Sequence, residues 1–200
     1  NNIYFDTENN DLIRTSIDKP AYKEKLRLRS YGVPEFNDIV FLEIKKKYNG
    51  IVNKRRTLLK LNQAYDFLFD GIMPSEGDYL NAQVLKELKF FMEFYNPVAK
   101  LFLAYDRVAM FGKDDENLRI TADRNIRTRR DDLRLEDGDY GDKLLQDGQV
   151  LIEIKTASSF PVWLVDILTE LDMKGTSFSK YGTEYRQFMD NTLQKRGAIC

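Results

Sequence analysis

Residues 23–31 read Lys-Glu-Lys-Leu-Arg-Leu-Arg-Ser-Tyr. Side chains alternate faces along a strand, so this segment sends Lys23, Lys25, Arg27 and Arg29 to one side and Leu26 and Leu28 to the other. A row of cations repels itself unless an anion sits among them. Yet the whole chain is balanced, with 31 Lys and Arg against 32 Asp and Glu. The row is therefore a local concentration of charge, and a polyanionic ligand is the first class of partner it suggests.

Other segments carry the same pattern. Ile39–Lys47 reads as a strand with Val40, Leu42 and Ile44 on one face and Phe41, Glu43, Lys45 and Lys47 on the other. Asn49-Gly50 is a hairpin signal. It leads into Ile51–Leu59, where Lys54 and Arg56 share a face, although Arg55 is an alternative occupant. Lys100–Phe111 aligns Tyr105, Arg107 and Ala109; Asn117–Arg127 aligns Arg119, Thr121, Asp123, Asn125 and Arg127; Gln149–Thr156 sets Glu153 and Lys155 opposite Val150, Ile152 and Ile154. Ile3–Phe5 reads as a further strand and Asp6–Asn10 as a polar turn. Helical spacing predicts helices over Asn62–Asp70 and Asp78–Tyr95, the second through Leu80, Val84, Leu88 and Phe91. Pro161–Leu171 and Phe178–Leu193 follow as helices, and 128–148 as a long exposed loop. A single domain is expected, with a helical insertion at about 62–96.

The charged faces hold few acids: Glu43, Asp123 and Glu153. An open sheet with a solvated face mixes signs across strands. The bias fits better if the strands curl into an antiparallel barrel with a cationic, wet interior. Helices would then cover the apolar outside, over Leu26, Leu28, Val40, Leu42, Ile152 and Ile154. Eight strands leave room for one narrow ligand, and an extended phosphate chain fits, because arginine and lysine make strong charge-assisted bonds to its oxygens. A carboxylate in such a channel suits a hard divalent cation bridging protein and phosphate. Glu153 is the best placed, against the alternative that it only pairs with neighbouring arginines.

Exclusions narrow the chemistry. There is no histidine, and the one cysteine is Cys200. Histidine bases, His- or Cys-ligated metals and internal disulfides are thus out, and a reducing, cytoplasmic setting is expected. The near-zero net charge argues against a general nucleic-acid binder. No run approaches membrane-spanning length. The chain opens at Asn1 inside a strand, as expected of a fragment lacking its natural N-terminus.

In chain order, Tyr4-Phe5-Asp6, Leu26-Arg27-Leu28-Arg29-Ser30-Tyr31-Gly32, Phe41-Leu42-Glu43-Ile44-Lys45, Arg107-Val108-Ala109, Leu118-Arg119-Ile120-Thr121, Leu151-Ile152-Glu153-Ile154-Lys155 and Phe178-Ser179-Lys180-Tyr181 resemble the VTC domain. This is the polyphosphate polymerase domain of the vacuolar transporter chaperone family, within the triphosphate tunnel metalloenzymes; a bacterial member is the expectation. The resemblance implies an α+β fold, an eight-stranded antiparallel tunnel with helices outside. It implies transfer of the γ-phosphoryl of ATP to inorganic polyphosphate with Mn²⁺ or Mg²⁺. By motif, Arg27, Arg29, Arg107, Arg119 and Lys180 would act on the reacting phosphates. Lys25, Lys45, Lys54, Arg56 and Lys155 would bind the chain, and Glu153 the metal. The family's first strand, upstream of Tyr4-Phe5-Asp6, is expected to be missing here. Any membrane attachment would come from other subunits or segments. Two further readings stay open: hydrolysis of triphosphate or a nucleoside triphosphate in the same fold, and non-catalytic binding of polyphosphate or an inositol polyphosphate.

Overall fold

Asn49 and Gly50 take positive φ values of 45° and 88°, the left-handed pair that matches the twist of two antiparallel strands. They join β3 (Ile39–Tyr48) to β4 (Ile51–Lys60) in the computed structural model, which describes residues 1–74, 80–157 and 159–197. The other elements are β1 (Asn2–Asp6), α1 (Asp11–Ile17), β2 (Tyr22–Arg29), α2 (Leu61–Asp70), α3 (Ala82–Tyr95), β5 (Val98–Phe111), β6 (Arg119–Arg129), β7 (Asp142–Lys143), β8 (Leu151–Lys155), α4 (Val162–Glu170) and α5 (Lys180–Gly197). Asp78 and Tyr79, expected to begin the second helix, and Cys200 lie outside the described residues. Among the described residues no helix is long and apolar enough to cross a membrane.

The eight strands form one antiparallel sheet in the order β4-β3-β2-β1-β5-β6, with β7 and β8 both on the far edge of β6. β4 and β8 do not pair, so the expected closed barrel is an open sheet among the described residues. Its register fixes what shares a face. Arg27 lies opposite Glu43 and Tyr4, Lys25 opposite Lys45, Lys45 opposite Lys54, and Glu43 opposite Arg56. On the other half Arg107 faces Asp123, Arg119 faces Lys155, and Thr121 faces Glu153.

The apolar face carries the main core. Ile3, Leu26, Leu28, Val40, Leu42, Phe102 and Ala104 pack under Phe67 and Leu68 of α2 and Val84, Leu88 and Phe91 of α3. The helices stop for local reasons: Gly71 and Asn96 cap α2 and α3 at φ 70° and 43°, the left-handed conformation that ends a helix. The expected cover does not extend to β8, where Ile152 is 37% exposed. Nor are all helices outside. Ile13 of α1 and Tyr181 and Tyr185 of α5 pack with Tyr4, Leu101, Leu103 and Ile126, whose side chains point to the charged face. These helices therefore plug one end of that face.

Three local departures from the expected pattern have clear causes. Asn125 sits at φ 47° beside a register shift between Ala104 and Asp106. This bulge flips the alternation of β6. Arg127, expected in line with Arg119, turns to the opposite face and binds Asp139 and Asp106. The segment after β6 is not a free loop. Buried Arg129 donates to the carbonyls of Asp132, Arg134, Gly138 and Tyr140 and lies over the Phe102 ring at 3.5 Å. α1, which the sequence reading did not expect, starts directly after the polar turn, where the Asp6 carboxylate accepts the backbone N–H groups of Leu12 and Ile13, at 2.8 and 2.9 Å.

Candidate phosphate-binding face

The charged face is concave. Lys45 on β3 feels the charges of Lys155 and Glu153 on β8, although those strands stand far apart in the sheet order. The start of α5 spans the hollow: Lys25 on β2 reaches Ser179 Oγ at 3.3 Å, while Lys180 reaches Asp123 on β6 at 2.5 Å. Lys180 also lies 4.6 Å from the Tyr105 ring centre, and the Arg107 guanidinium lies 5.0 Å from the same ring.

Each acid on this face is held by two cations. Glu43, 3% exposed, accepts from Arg27 Nε at 2.9 Å and pairs with Lys54 at 2.6 Å. Asp123, 1% exposed, takes a two-pronged bond from Arg107 at 2.6 and 2.8 Å, besides Lys180. Glu153 pairs with Lys155 at 3.1 Å and lies 3.9 Å from Arg107. Burial alone would push all three carboxyls up; the neighbouring cations outweigh it and hold each below its ordinary value. The bond to Asp123 in turn raises the Arg107 guanidinium further above its already high value.

The cations still outnumber these acids. Arg29, Lys45, Arg56 and Arg119 make no ion pair among the described residues. Arg29 rests on the Tyr31 ring, Arg56 on Phe41 and Arg119 on Phe111. Burial first, then neighbouring lysines, pull the Lys25 and Lys45 ammonium groups below the usual lysine value. Their charged state is thus strained and would be relieved by an anion.

The residues assigned by motif lie on this face, whereas Arg127, aligned with them by alternation, does not. Lys54 and Arg56 occupy it, and Arg55 does not: it points outward to Glu87 of α3. Arg107, Arg119, Glu153 and Lys155 surround one recess, while Arg27, Lys25, Lys45, Lys54 and Arg56 form a second group across the hollow, with Arg29 toward its other end. Three residues were not singled out. Tyr4 takes a bond from Arg27 at 3.4 Å; burial would raise its phenol, but Arg27, Lys25 and Lys180 hold it below the ordinary value. Ser179 engages Lys25. Thr121 lines the recess. Thr121 had a signal in its alternation with Arg119 and Asp123; Tyr4 and Ser179 stand within motifs of the family resemblance, but sheet pairing and the docking of α5 are what bring them to the site.

No group of three or more metal-ligating side chains exists among the described residues. A cation held by protein alone does not fit. The donor set does fit one bound by a single carboxylate with phosphate oxygens and water, since neighbouring cations hold the Glu153 carboxyl below its ordinary value, it is 45% exposed, and it is engaged by one lysine and more loosely by Arg107.

A search of curated proteins finds no match. The family model of the VTC domain matches residues 1–189, nearly the whole chain. With the antiparallel sheet and its basic concave face, this match gives the chain its family: it belongs to the VTC domain proteins.

Proposed function

We propose that this chain is a polyphosphate polymerase, transferring the γ-phosphoryl group of ATP to the end of an inorganic polyphosphate chain, a reading that its membership of the VTC domain family supports. The observation that carries this reading is the surplus of cations on one concave face, with Arg29, Lys45, Arg56 and Arg119 left without carboxylate partners among the described residues. A linear polyanion would bind along that surface, one phosphate after another.

The transfer needs no general base. A terminal phosphate oxygen of the chain is already an anion; it attacks the γ-phosphorus, the bond to the β,γ-bridging oxygen breaks, and ADP departs with that electron pair. Such reactions are accelerated mainly by positioning and by stabilising spread-out negative charge. Arg107 and Lys180, each anchored on Asp123, are fixed in orientation and would present donors without reorganising. Arg27, locked by Glu43, would do the same on the opposite wall. Arg119 and Lys155 flank the recess beside Glu153. Glu153 would hold a Mn²⁺ or Mg²⁺ ion, which supplies further charge neutralisation of the phosphates.

Incubation with ATP and Mn²⁺, followed by a gel for long polyphosphate and an ADP assay, tests the reading. Polyphosphate formed together with ADP supports it. Release of orthophosphate without polymer would make the protein a hydrolase, and binding without ADP a non-catalytic module.

A further inference from the structure

The recess between Arg107, Arg119, Thr121, Glu153 and Lys155 contains two polar atoms that the fold leaves unserved. Thr121 is 4% exposed, and its Oγ is buried without a hydrogen-bond partner; so is Nε of Arg119. A buried hydroxyl without a partner is costly, and native structures rarely tolerate one without reason. Glu153 lies directly across the strand pair from Thr121 but does not take the hydroxyl; one of its oxygens is held by Lys155 at 3.1 Å and the other leans toward Arg107 at 3.9 Å.

We propose that Thr121 Oγ and Arg119 Nε, with the Lys155 ammonium, form a socket for a single phosphoryl group, in which the Thr121 hydroxyl donates to one phosphoryl oxygen. An arginine Nε can only donate, so the pair of unserved atoms calls for an acceptor. The charges agree: with Arg107 paired to Asp123, Arg119 and Lys155 stand against Glu153. A tetrahedral oxyanion satisfies both atoms at once, whereas a cation would satisfy only the hydroxyl. The proposal rests on the polyphosphate reading above and assigns the terminal phosphoryl, of ATP or of the chain, to this place.

Thr121→Val removes the hydroxyl and keeps the branched shape; Thr121→Ser keeps the hydroxyl. The probes are inorganic triphosphate and ATP, titrated calorimetrically without divalent metal, together with melting curves of the free proteins. The Val variant should melt at or above the wild-type temperature, because a stranded buried hydroxyl is gone. It should bind at least one of the two probes about five- to twentyfold more weakly, the loss of about one hydrogen bond to a charged acceptor. The Ser variant should bind like wild type. Loss with ATP alone places the nucleotide's γ group in the socket, loss with triphosphate places the inorganic chain there, and either supports the proposal. Unchanged affinity for both probes in Thr121→Val, with wild type binding normally, overturns the socket and leaves the polyphosphate reading intact. A Val variant altered only in its Mn²⁺ dependence also overturns it, because the hydroxyl would then serve the cation. Failure of wild type to bind either probe removes both.

Discussion

Glu43→Gln separates two jobs that one carboxylate can do on a cationic face. Glu43 is buried between Arg27 and Lys54. Removing its charge leaves those two cations facing each other across the position it held. Breaking a fully buried pair costs about 3–5 kcal/mol. Here Lys54 is 42% exposed and Arg27 20% exposed, and glutamine can still accept from Arg27. Solvent screening therefore reduces the expected cost to about 2 kcal/mol. For a chain of this size that is a fall in Tm of about 4–8 °C. The same change removes a negative charge from the phosphate surface. A phosphate oxygen seated on Arg27 would lie about 6 Å from the lost charge, and repulsion at that distance is about 2–3 kcal/mol at an effective dielectric of 20. Triphosphate should thus bind the variant more tightly, by roughly tenfold or more once salt screening is included. Melting curves with and without triphosphate read both effects: a lower Tm for the free protein and a larger upward shift on ligand addition. An unchanged Tm together with weaker triphosphate binding would refute the reasoning, and would make Glu43 part of the ligand site instead of its counter-charge.

Three further outcomes follow from individual groups. Lys25 and Lys45 titrate below the usual lysine value in the free protein, and a bound polyanion raises them again. Triphosphate binding should therefore take up protons and weaken as pH climbs through the lowered lysine values, read by calorimetry in two buffers of different ionisation heat. The unfolded chain holds more lysine protons over that same range, so the free protein should gain stability with rising pH there, and proton release on binding would contradict the assignment. Arg129→Ala strands the carbonyls of Asp132, Arg134, Gly138 and Tyr140 and should cost about 3 kcal/mol, with early proteolytic cutting between 130 and 142; a resistant loop would show that the arginine does not organise it. Glu153→Gln should keep the fold and bind metal-free triphosphate at least as tightly as wild type while lowering Mn²⁺-dependent ATP turnover at least tenfold, as expected when the ion no longer offsets charge on the phosphates; wild-type turnover would remove Glu153 from the reaction.

The part of this site that period-two alternation controls was legible in the sequence. Arg27, Lys45, Arg107, Arg119 and Lys155 share a face because their strands are regular there. Alternation failed at Asn125, where one left-handed residue turned Arg127 outward, and nothing in a local pattern marks a bulge of that kind. It also left Lys54, Arg55 and Arg56 undecided until the register with β3 was known. Long-range docking was invisible: α5 reaches into the hollow through Lys180 and Ser179, and its tyrosines pack against Tyr4 and Leu101. The loop after β6 read as exposed because its residues are polar, yet its order comes from one buried guanidinium that gathers four carbonyls. Closure was inferred from charge bias, and the bias required only a concave face. A curled open sheet meets that requirement without β4 meeting β8.

The central claim is that the concave basic face holds a linear chain of phosphates. A calorimetric series of orthophosphate, pyrophosphate and triphosphate, measured at low and high salt, tests it most directly. Affinity should climb at each added phosphate, because each meets further cations from Arg119 and Lys155 toward Arg27 and Lys45, and the climb should flatten at high salt. Equal affinity for orthophosphate and triphosphate at low salt would contradict the account.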